Sequence, residues 1–184
     1  MNVALLIIDM LNDFVYGPLK IPAAKDVVPK IKKLADLFRL HKKPVIYLRD
    51  SHVKGVDLEL GLWGEHAIEG TWGSEVIEEL RPQASDFIVA KRRYSGFFAT
   101  DLDLLLRQLM VVKLVLTGVV TDICVLHTAA DAFFRGYEVI VVSDATASLA
   151  PERHERALNY MKEVYGAKIL SSSDVEAMLS RPQP

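Results

Sequence analysis

The chain has 184 residues, of which 51% are apolar and 25% are charged, and its formal net charge is −2. This length fits one domain, which we expect to cover residues 1–184, and the apolar fraction can fill a substantial core. The near-neutral charge gives no electrostatic reason to expect nucleic acid or an anionic membrane as a partner.

Short apolar runs, typical of buried strands, alternate along the chain with segments whose apolar residues repeat every 3.6 positions, as in helices. The six predicted strands are residues 3–9, 44–50, 86–91, 113–119, 138–145 and 167–171. The five predicted helices are residues 27–40, 100–110, 124–134, 152–165 and 173–179. This alternation predicts a three-layer α-β-α fold of the α/β class, with a mostly parallel six-stranded sheet and helices on both faces.

Residues 51–85 form a segment too long for a simple connection between a strand and the next one. They contain both tryptophans and the histidines His52 and His66. Long ordered insertions of this kind tend to carry function, so we expect part of a site here. The last four residues, 181–184, are predicted to be frayed.

Cysteine use and hydropathy indicate a compartment. Cys124 is the only cysteine, so an intrachain disulfide is excluded, and a reducing compartment fits this composition. No run approaches the roughly 18 apolar residues of a membrane span, and the N-terminus lacks the basic region of a signal peptide. We therefore expect a soluble, cytoplasmic protein.

Polar residues occur where the predicted strands end. The first strand ends in Asp9, the second in Asp50 and the third in Lys91, and the fourth leads through a glycine-containing turn to Cys124. In an open parallel sheet, ligands bind beyond the carboxyl ends of the strands, which lie at one edge. Chain geometry therefore predicts that three charged groups and one thiol converge there.

Cys124 has two interpretations. A lone cysteine is usually a small buried apolar residue. A thiol in the first turn of a helix, however, lies near the positive end of the helix dipole and near free N–H groups, which stabilise a thiolate and an oxyanion. Asp9 is then a candidate base for the thiol, with Lys91 holding both groups anionic. Taken separately, Asp9 also fits a turn cap, and Lys91 also fits a solvated strand end.

Asp50 and His52 form an Asp-x-His pair that suggests a metal site. On an extended strand, residues two apart project to the same face, so both side chains are placed to bind one ion. His66 is a candidate third ligand, and one carboxylate with two imidazoles suits zinc, iron or manganese. A surface loop is the alternative interpretation. His127, one helical turn after Cys124, is expected to pack or to lie at an interface, because side chains so placed only neighbour each other.

Three segments resemble the isochorismatase-like cysteine hydrolases, and among them the nicotinamidases and related amidases. The segments are LLIIDMLNDF, VAKRRYSGF and GVVTDICVLHTAADAFFRGYEV, and the resemblance covers nearly the whole chain. It implies that Asp9 is the catalytic base, Lys91 the catalytic lysine and Cys124 the nucleophile. It also implies a Rossmann-like fold and a homo-oligomer, dimeric or tetrameric.

The resemblance further implies how a substrate is held. A cis peptide between Val119 and Val120 is expected to direct the Val120 N–H toward the Cys124 N–H, so that the two form an oxyanion hole. Phe14 and Trp63 match aromatic positions that sandwich the substrate ring. Val119 is also expected to contact the substrate.

The resemblance also implies a metal and a reaction. A divalent metal, zinc first and iron or manganese as alternatives, is expected on Asp50, His52 and His66. The implied reaction is hydrolysis of a small amide through a thioester, with nicotinamide giving nicotinate and ammonia as first choice. An amidase for N-carbamoyl or ureido compounds is the alternative. Three departures from the usual motifs leave the substrate open: Leu11 replaces glutamine, Ile123 replaces tyrosine, and the lysine loop KRRYSGF is short, as in the broader cysteine-hydrolase group.

Two further readings differ in class. Isochorismate-type enzymes of the same fold cleave a vinyl ether and lack the cysteine nucleophile, so Cys124 disfavours that chemistry. A non-catalytic domain that works by association is the other reading, with the apolar segment 133–137 as its interface.

Overall fold

The structure, a computed structural model, describes residues 2–180. Its strands are β1 (Val3–Ile8), β2 (Val45–Asp50), β3 (Phe87–Lys91), β4 (Lys113–Val119), β5 (Glu138–Ala147) and β6 (Lys168–Leu170). They form one sheet in the order β3-β2-β1-β4-β5-β6, in which every neighbouring pair is parallel. The predicted six-stranded sheet is therefore confirmed, and within residues 2–180 it is parallel throughout.

Helices cover both faces of this sheet. The α-helices within residues 2–180 are α1 (Asn12–Val15), α2 (Ala24–Leu40), α3 (Glu59–Trp63), α4 (Leu102–Gln108), α5 (Leu126–Phe134), α6 (Pro151–Tyr165) and α7 (Ser172–Ser180). On one face, α2 and α7 share a core with Leu5 and Ile7 of β1, whereas α4, α5 and α6 share the other core with Leu6 and Ile8. Alternate residues of a strand project to opposite faces. The predicted three-layer fold is confirmed.

The long insertion after β2 folds into short helical elements that are attached to the segment following β1. Besides α3, it contains two 3₁₀ turns, Trp72–Ser74 and Glu78–Leu80. The Ala67 N–H donates to Asp13 Oδ2 at 2.8 Å, and the Asn12 side-chain amide donates to the Trp72 carbonyl at 2.8 Å. These bonds hold the insertion beside the carboxyl end of β1. The sequence did not predict the short elements, because one or two turns show no periodicity.

Met1 and the tail predicted to be frayed, residues 181–184, lie outside the described residues. The single domain over residues 1–184 therefore stays a prediction. Within residues 2–180, no helix has both the length and the apolar character that crossing a membrane requires.

The carboxyl ends of β1 and β4 approach each other closely at Gly118. Gly118 pairs with Ile8, the residue before Asp9, and its φ is +103°. A Cβ atom at this position would lie 2.0 Å from the Ile8 carbonyl oxygen. A side chain is strained at this φ and would displace the backbone that carries Asp9, so glycine is required here.

We predict that Gly118→Ala lowers the free energy of unfolding by about 3 kcal/mol or more, because backbone strain and overpacking add at this position. Urea denaturation followed by circular dichroism measures the loss. Gly136→Ala is the matched control, since Gly136 also has a positive φ, +81°, but faces open space. The control should lose only about 1–2 kcal/mol. Equal losses in the two variants would contradict the close approach of β1 and β4.

Candidate active site

The carboxyl edge of the sheet carries the four residues that the strand ends predicted. Asp9 follows β1 with a φ of +52°, a left-handed conformation that aspartate tolerates better than most residues. Asp50 and Lys91 are register partners at the ends of β2 and β3. Cys124 lies in the helical turn that follows β4. All four residues are buried, and the structure brings them into one cluster.

The Lys91 ammonium group is the centre of this cluster. Its Nζ lies 2.8 Å from Asp9 Oδ2 and 2.6 Å from Asp50 Oδ1. It also lies 3.6 Å from Cys124 Sγ. Asp9 is held in turn by the Asp50 backbone N–H, which donates to Asp9 Oδ1 at 2.9 Å. One buried cation therefore contacts two carboxylates and the thiol.

Burial and charge shift the pKa values of this cluster in opposite directions. Burial would lower the pKa of Lys91, but Asp50 and Asp9 raise it well above its usual value, so the lysine stays a cation. Burial opposes the ionisation of Asp50, yet Lys91 brings the pKa of Asp50 below its usual value. Burial, reinforced by Asp50 and opposed by Lys91, raises the pKa of Asp9 to about 6. Asp9 is therefore suited to accept and release a proton near neutral pH.

The sequence pattern placed Cys124 at the first residue of its helix. In the structure the helical segment begins earlier. The helical segment begins with a π turn, Thr121–Val125, and α5 follows from Leu126. Burial raises the pKa of the Cys124 thiol well above its usual value; Lys91 opposes the rise and Asp9 adds to it. Cys124 lies in the first turn of this helical segment, and the expected stabilisation of a thiolate by the helix start stays a prediction. Because a third anion beside two buried carboxylates is unfavourable, the neutral thiol is favoured, and its ionisation calls for a base.

A second polar cluster adjoins the first and shares Asp50 with it. Ligand atoms of Asp50, His52, Glu59 and His66 all lie within 4.8 Å of one another, and the four residues are buried. His52 Nε2 lies 3.7 Å from Asp50 Oδ2 and 3.8 Å from Glu59 Oε2. This nitrogen has no hydrogen-bond partner among residues 2–180. The cluster contains the three ligands predicted from the sequence and adds Glu59.

The orientation of both imidazoles fits a divalent metal. His66 Nδ1 lies 2.8 Å from the Gly64 carbonyl oxygen, and His52 Nδ1 lies 3.2 Å from Asp57 Oδ2. An acceptor at Nδ1 holds the ring proton there and leaves the Nε2 lone pair for a metal. Leaving a buried nitrogen without a partner costs free energy, which a bound cation would remove. Two imidazoles with two carboxylates suit zinc, iron or manganese.

Glu59 is the residue of this cluster that the sequence did not predict. It begins α3, and four residues later the same helix carries Trp63, which also borders the site. Burial, with a contribution from Asp50, raises the pKa of Glu59 to about 7. The insertion contains several other acidic residues, so spacing alone does not distinguish Glu59. Only the packing of α3 against the sheet edge buries this carboxylate beside two histidines.

A cavity opens next to Cys124. Its apolar and aromatic lining consists of Phe14, Leu19, Ile21, Trp63, Tyr94, Val120, Ile123 and Leu149, and its polar lining of Asp50, Glu59, His66 and Cys124. The Trp63 indole N–H donates to the Tyr94 hydroxyl at 3.1 Å, which joins these two aromatic residues into one wall. Phe14 packs against the His66 ring, with ring centroids 5.6 Å apart. The cavity thus has aromatic sides and a polar, thiol-bearing floor.

The backbone before Cys124 has the expected cis peptide, between Val119 and Val120. Val120 lines the cavity, whereas the Val119 side chain is fully buried in the core on the α2 face of the sheet. The Val119 side chain packs beneath the sheet edge, so the contact of this residue with a substrate stays a prediction. His127 contacts the Ile123 carbonyl oxygen at 2.7 Å and packs on the Tyr94 ring, which confirms its packing role.

Comparison with known proteins places this geometry in a family. A family model described as the Isochorismatase domain matches residues 3–174. The crystal structure of N-carbamoylsarcosine amidase from Thermoplasma acidophilum is 43% identical in sequence, and the match covers 94% of this chain and 97% of that one with a TM-score of 0.88.

Two further solved structures are similar over comparable lengths. Nicotinamidase PncA from Bacillus subtilis is 36% identical, with 93% of this chain and 100% of that one covered and a TM-score of 0.88. Pyrazinamidase of Pyrococcus horikoshii, solved in complex with zinc, is 31% identical, with 93% and 99% covered and a TM-score of 0.86. The chain described here belongs to the isochorismatase family of hydrolases.

Proposed function

We propose that this chain hydrolyses a small neutral amide through a thioester on Cys124, and that nicotinamide, giving nicotinate and ammonia, is the first-choice substrate. The observation that carries the proposal is the triad geometry. Lys91 Nζ lies 3.6 Å from the Cys124 sulfur and 2.8 Å from Asp9 Oδ2, below a cavity with aromatic walls. A buried thiol, a carboxylate with a raised pKa and a fixed cation are the groups that nucleophilic acyl transfer requires.

The first half of the reaction forms the thioester. Asp9 takes the proton of Cys124, and the thiolate sulfur forms a bond to the amide carbonyl carbon. Negative charge moves to the carbonyl oxygen, which the backbone N–H groups of Val120 and Cys124 are proposed to receive. Protonated Asp9 then gives its proton to the leaving nitrogen, the C–N bond breaks and ammonia departs. Lys91 stays charged throughout, so the negative charge that passes between thiol and carboxylate is always beside a cation.

The second half releases the acid. Asp9 takes a proton from a water molecule, whose oxygen attacks the thioester carbon. The C–S bond then breaks, and Cys124 recovers its proton from Asp9. One carboxylate thus serves in turn as base and acid, which its pKa of about 6 permits near neutral pH.

A divalent metal, zinc first, is proposed on Asp50, His52, Glu59 and His66. When bound, it supplies a Lewis-acid site for a donor atom of the substrate, such as a pyridine nitrogen. The zinc complex of the pyrazinamidase from Pyrococcus horikoshii supports this assignment, as does the unpartnered Nε2 of His52.

The charge of the cavity favours a neutral substrate. Among the described residues, no arginine or lysine lines the cavity, and Lys91 below it is already paired with two carboxylates. The carboxylates of Asp50 and Glu59 would offset the two charges of a bound metal. A substrate carboxylate buried here would lack a cation, which costs several kcal/mol. An aromatic ring, in contrast, gains from contact with Phe14 and Trp63.

An amidase for N-carbamoyl or ureido compounds is the second candidate. The similarity to N-carbamoylsarcosine amidase supports it, and the same triad chemistry would serve its carbonyl group. A homo-oligomer also stays a prediction, supported by the exposure of Phe133 and Phe134, 45% and 70% respectively, on α5.

We predict that the wild-type chain releases ammonia from nicotinamide and that Cys124→Ala lowers kcat/KM by at least about 1,000-fold, because the nucleophile is lost. A coupled assay for ammonia measures both rates. His41→Ala is the control, since His41 is exposed just after α2 and does not line the cavity; its rate should stay near wild type. Equal rates for wild type and Cys124→Ala would overturn the nucleophile, and no release by wild type would overturn the substrate.

We predict that neutral aromatic amides are preferred over N-carbamoyl amino acids by roughly 100-fold or more in kcat/KM, the equivalent of about 2.7 kcal/mol for an unpaired substrate carboxylate. Nicotinamide and pyrazinamide are compared with N-carbamoylsarcosine in the same ammonia assay. The methyl ester of N-carbamoylsarcosine is the control, because it removes only the negative charge. If the free acid is the best substrate of the panel, the second candidate function replaces the first.

We predict that chelator-treated protein binds one Zn²⁺ per chain and that His66→Ala weakens this binding by more than about 100-fold. Removing a group that only orients a ligand costs about 10- to 100-fold in metal affinity, and removing the ligand itself should cost more. Isothermal titration calorimetry with Zn²⁺ gives the stoichiometry and the Kd. His41→Ala serves as control because His41 is exposed just after α2. Identical Kd values for the two variants would contradict the proposed ligand set.

A further inference from the structure

We propose that Asp57 is a positioning residue of the metal site, which holds the His52 imidazole so that Nε2 faces Asp50 and Glu59. The inference rests on the metal assignment made under the proposed function. Asp57 lies in the insertion, outside the cavity lining, and touches neither the thiol nor the substrate space. Its effect on a metal would therefore act through His52.

The contacts of Asp57 with the chain around His52 carry the proposal. The Asp57 side chain is completely buried, and its Oδ2 lies 3.2 Å from His52 Nδ1. The same oxygen accepts the Val53 backbone N–H at 2.9 Å. The carboxylate therefore contacts both the His52 ring and the backbone of the next residue, which fixes the ring relative to its own chain.

Arg92 holds the Asp57 carboxylate from the other side. Arg92 Nε lies 3.1 Å from each carboxylate oxygen of Asp57, and its Nη2 makes a further short contact with Oδ1. Arg93 Nη1 lies 3.6 Å away from the same oxygen. These guanidinium groups keep a buried carboxylate anionic and oriented. Arg92 follows Lys91 directly. The end of β3 that carries the lysine therefore also holds the Asp57 carboxylate, which contacts His52.

His52 needs an acceptor of this kind because its ring has two possible sites for one proton. Its Nε2 has no hydrogen-bond partner within residues 2–180, and the ring meets the His66 ring edge-on with centroids 4.8 Å apart. A carboxylate at Nδ1 selects the tautomer with Nδ1–H and leaves the Nε2 lone pair for a cation. His66 uses a backbone carbonyl for the same purpose. A charged carboxylate therefore holds the His52 ring, and a neutral backbone carbonyl holds the His66 ring. Of these two acceptors, mutation can remove only the carboxylate.

The test is the affinity of chelator-treated protein for Zn²⁺ alone, measured by isothermal titration calorimetry. Asp57→Asn, an isosteric change, is expected to raise the Kd by about 10- to 100-fold, as loss of an outer carboxylate does in comparable sites. Glu65→Gln is the matched control, because it makes the same change of charge at an exposed position beside His66, where Glu65 pairs only with Lys54. Its Kd should stay within about twofold of wild type. Equal Kd values for Asp57→Asn and wild type would overturn the proposal.

Arg92→Gln separates positioning of His52 from general support of the loop. Arg92 is half-exposed, and its removal leaves the contacts of Asp57 with His52 and Val53 in place. Because Arg93 still faces Asp57 Oδ1 and Asp57 keeps its contact with His52, we expect Arg92→Gln to raise the Kd, but by less than Asp57→Asn does. If Arg92→Gln loses as much affinity as Asp57→Asn, the effect belongs to the loop and the positioning role is wrong.

A direct measurement on the wild-type protein covers the case in which Asp57→Asn fails to fold. Two-bond ¹H–¹⁵N correlation spectra of the chelator-treated protein report which ring nitrogen of each histidine carries the proton before any metal is added. His52 should show a proton on Nδ1 and none on Nε2. A His52 with its proton on Nε2 would overturn the proposal, whereas wild-type protein that binds no Zn²⁺ would overturn the metal assignment on which it rests.

Discussion

The structure of this site depends on one interaction, the burial of the Lys91 ammonium group between the carboxylates of Asp9 and Asp50. A buried charge is stable only when it is closely paired, and removing one partner of such a group costs about 3–5 kcal/mol. The three residues end three adjacent strands, β1, β2 and β3. The ion cluster therefore forms only when these strands are in register. Correct pairing of the strands at this edge of the sheet also assembles the site.

Asp50 links two kinds of chemistry. Its Oδ1 contacts Lys91, and its Oδ2 faces His52 in the cluster proposed to hold a metal. The groups that move protons and the groups that would orient a substrate thus share one rigid carboxylate at the end of β2. Arg92 and Asp57 form a second link between the two clusters. Arg92, which follows Lys91, contacts Asp57, and Asp57 contacts the Nδ1 side of the His52 ring. Movement of one cluster would disturb the other.

The resting state of the thiol follows from the same burial. Cys124 is enclosed beside two carboxylates, so burial outweighs the nearby lysine and the sulfur keeps its proton. Burial also raises the pKa of Asp9, which makes this carboxylate a stronger base for that proton. The cavity above the pair has aromatic walls and, within the described residues, no lysine or arginine in its lining, which would favour a neutral guest. The reactive anion would then arise only when a substrate carbonyl is present to share its charge.

The alternation of strands and helices could be predicted from the amino-acid sequence alone, because periodicity is a property of neighbouring residues. The convergence of Asp9, Lys91 and Cys124 followed from that alternation, since the carboxyl ends of parallel strands lie at one edge of the sheet. The burial that raises the pKa of Cys124 and the positions of Glu59 and Asp57 beside His52 could not be predicted, because they depend on three-dimensional packing. The acidic residues of the insertion are alike in sequence, and α3 is too short to show a pattern. Glu59 and Asp57 differ from the other acidic residues of the insertion because packing removes them from water and places them against His52. Such burial depends on contacts between segments that are distant in the sequence.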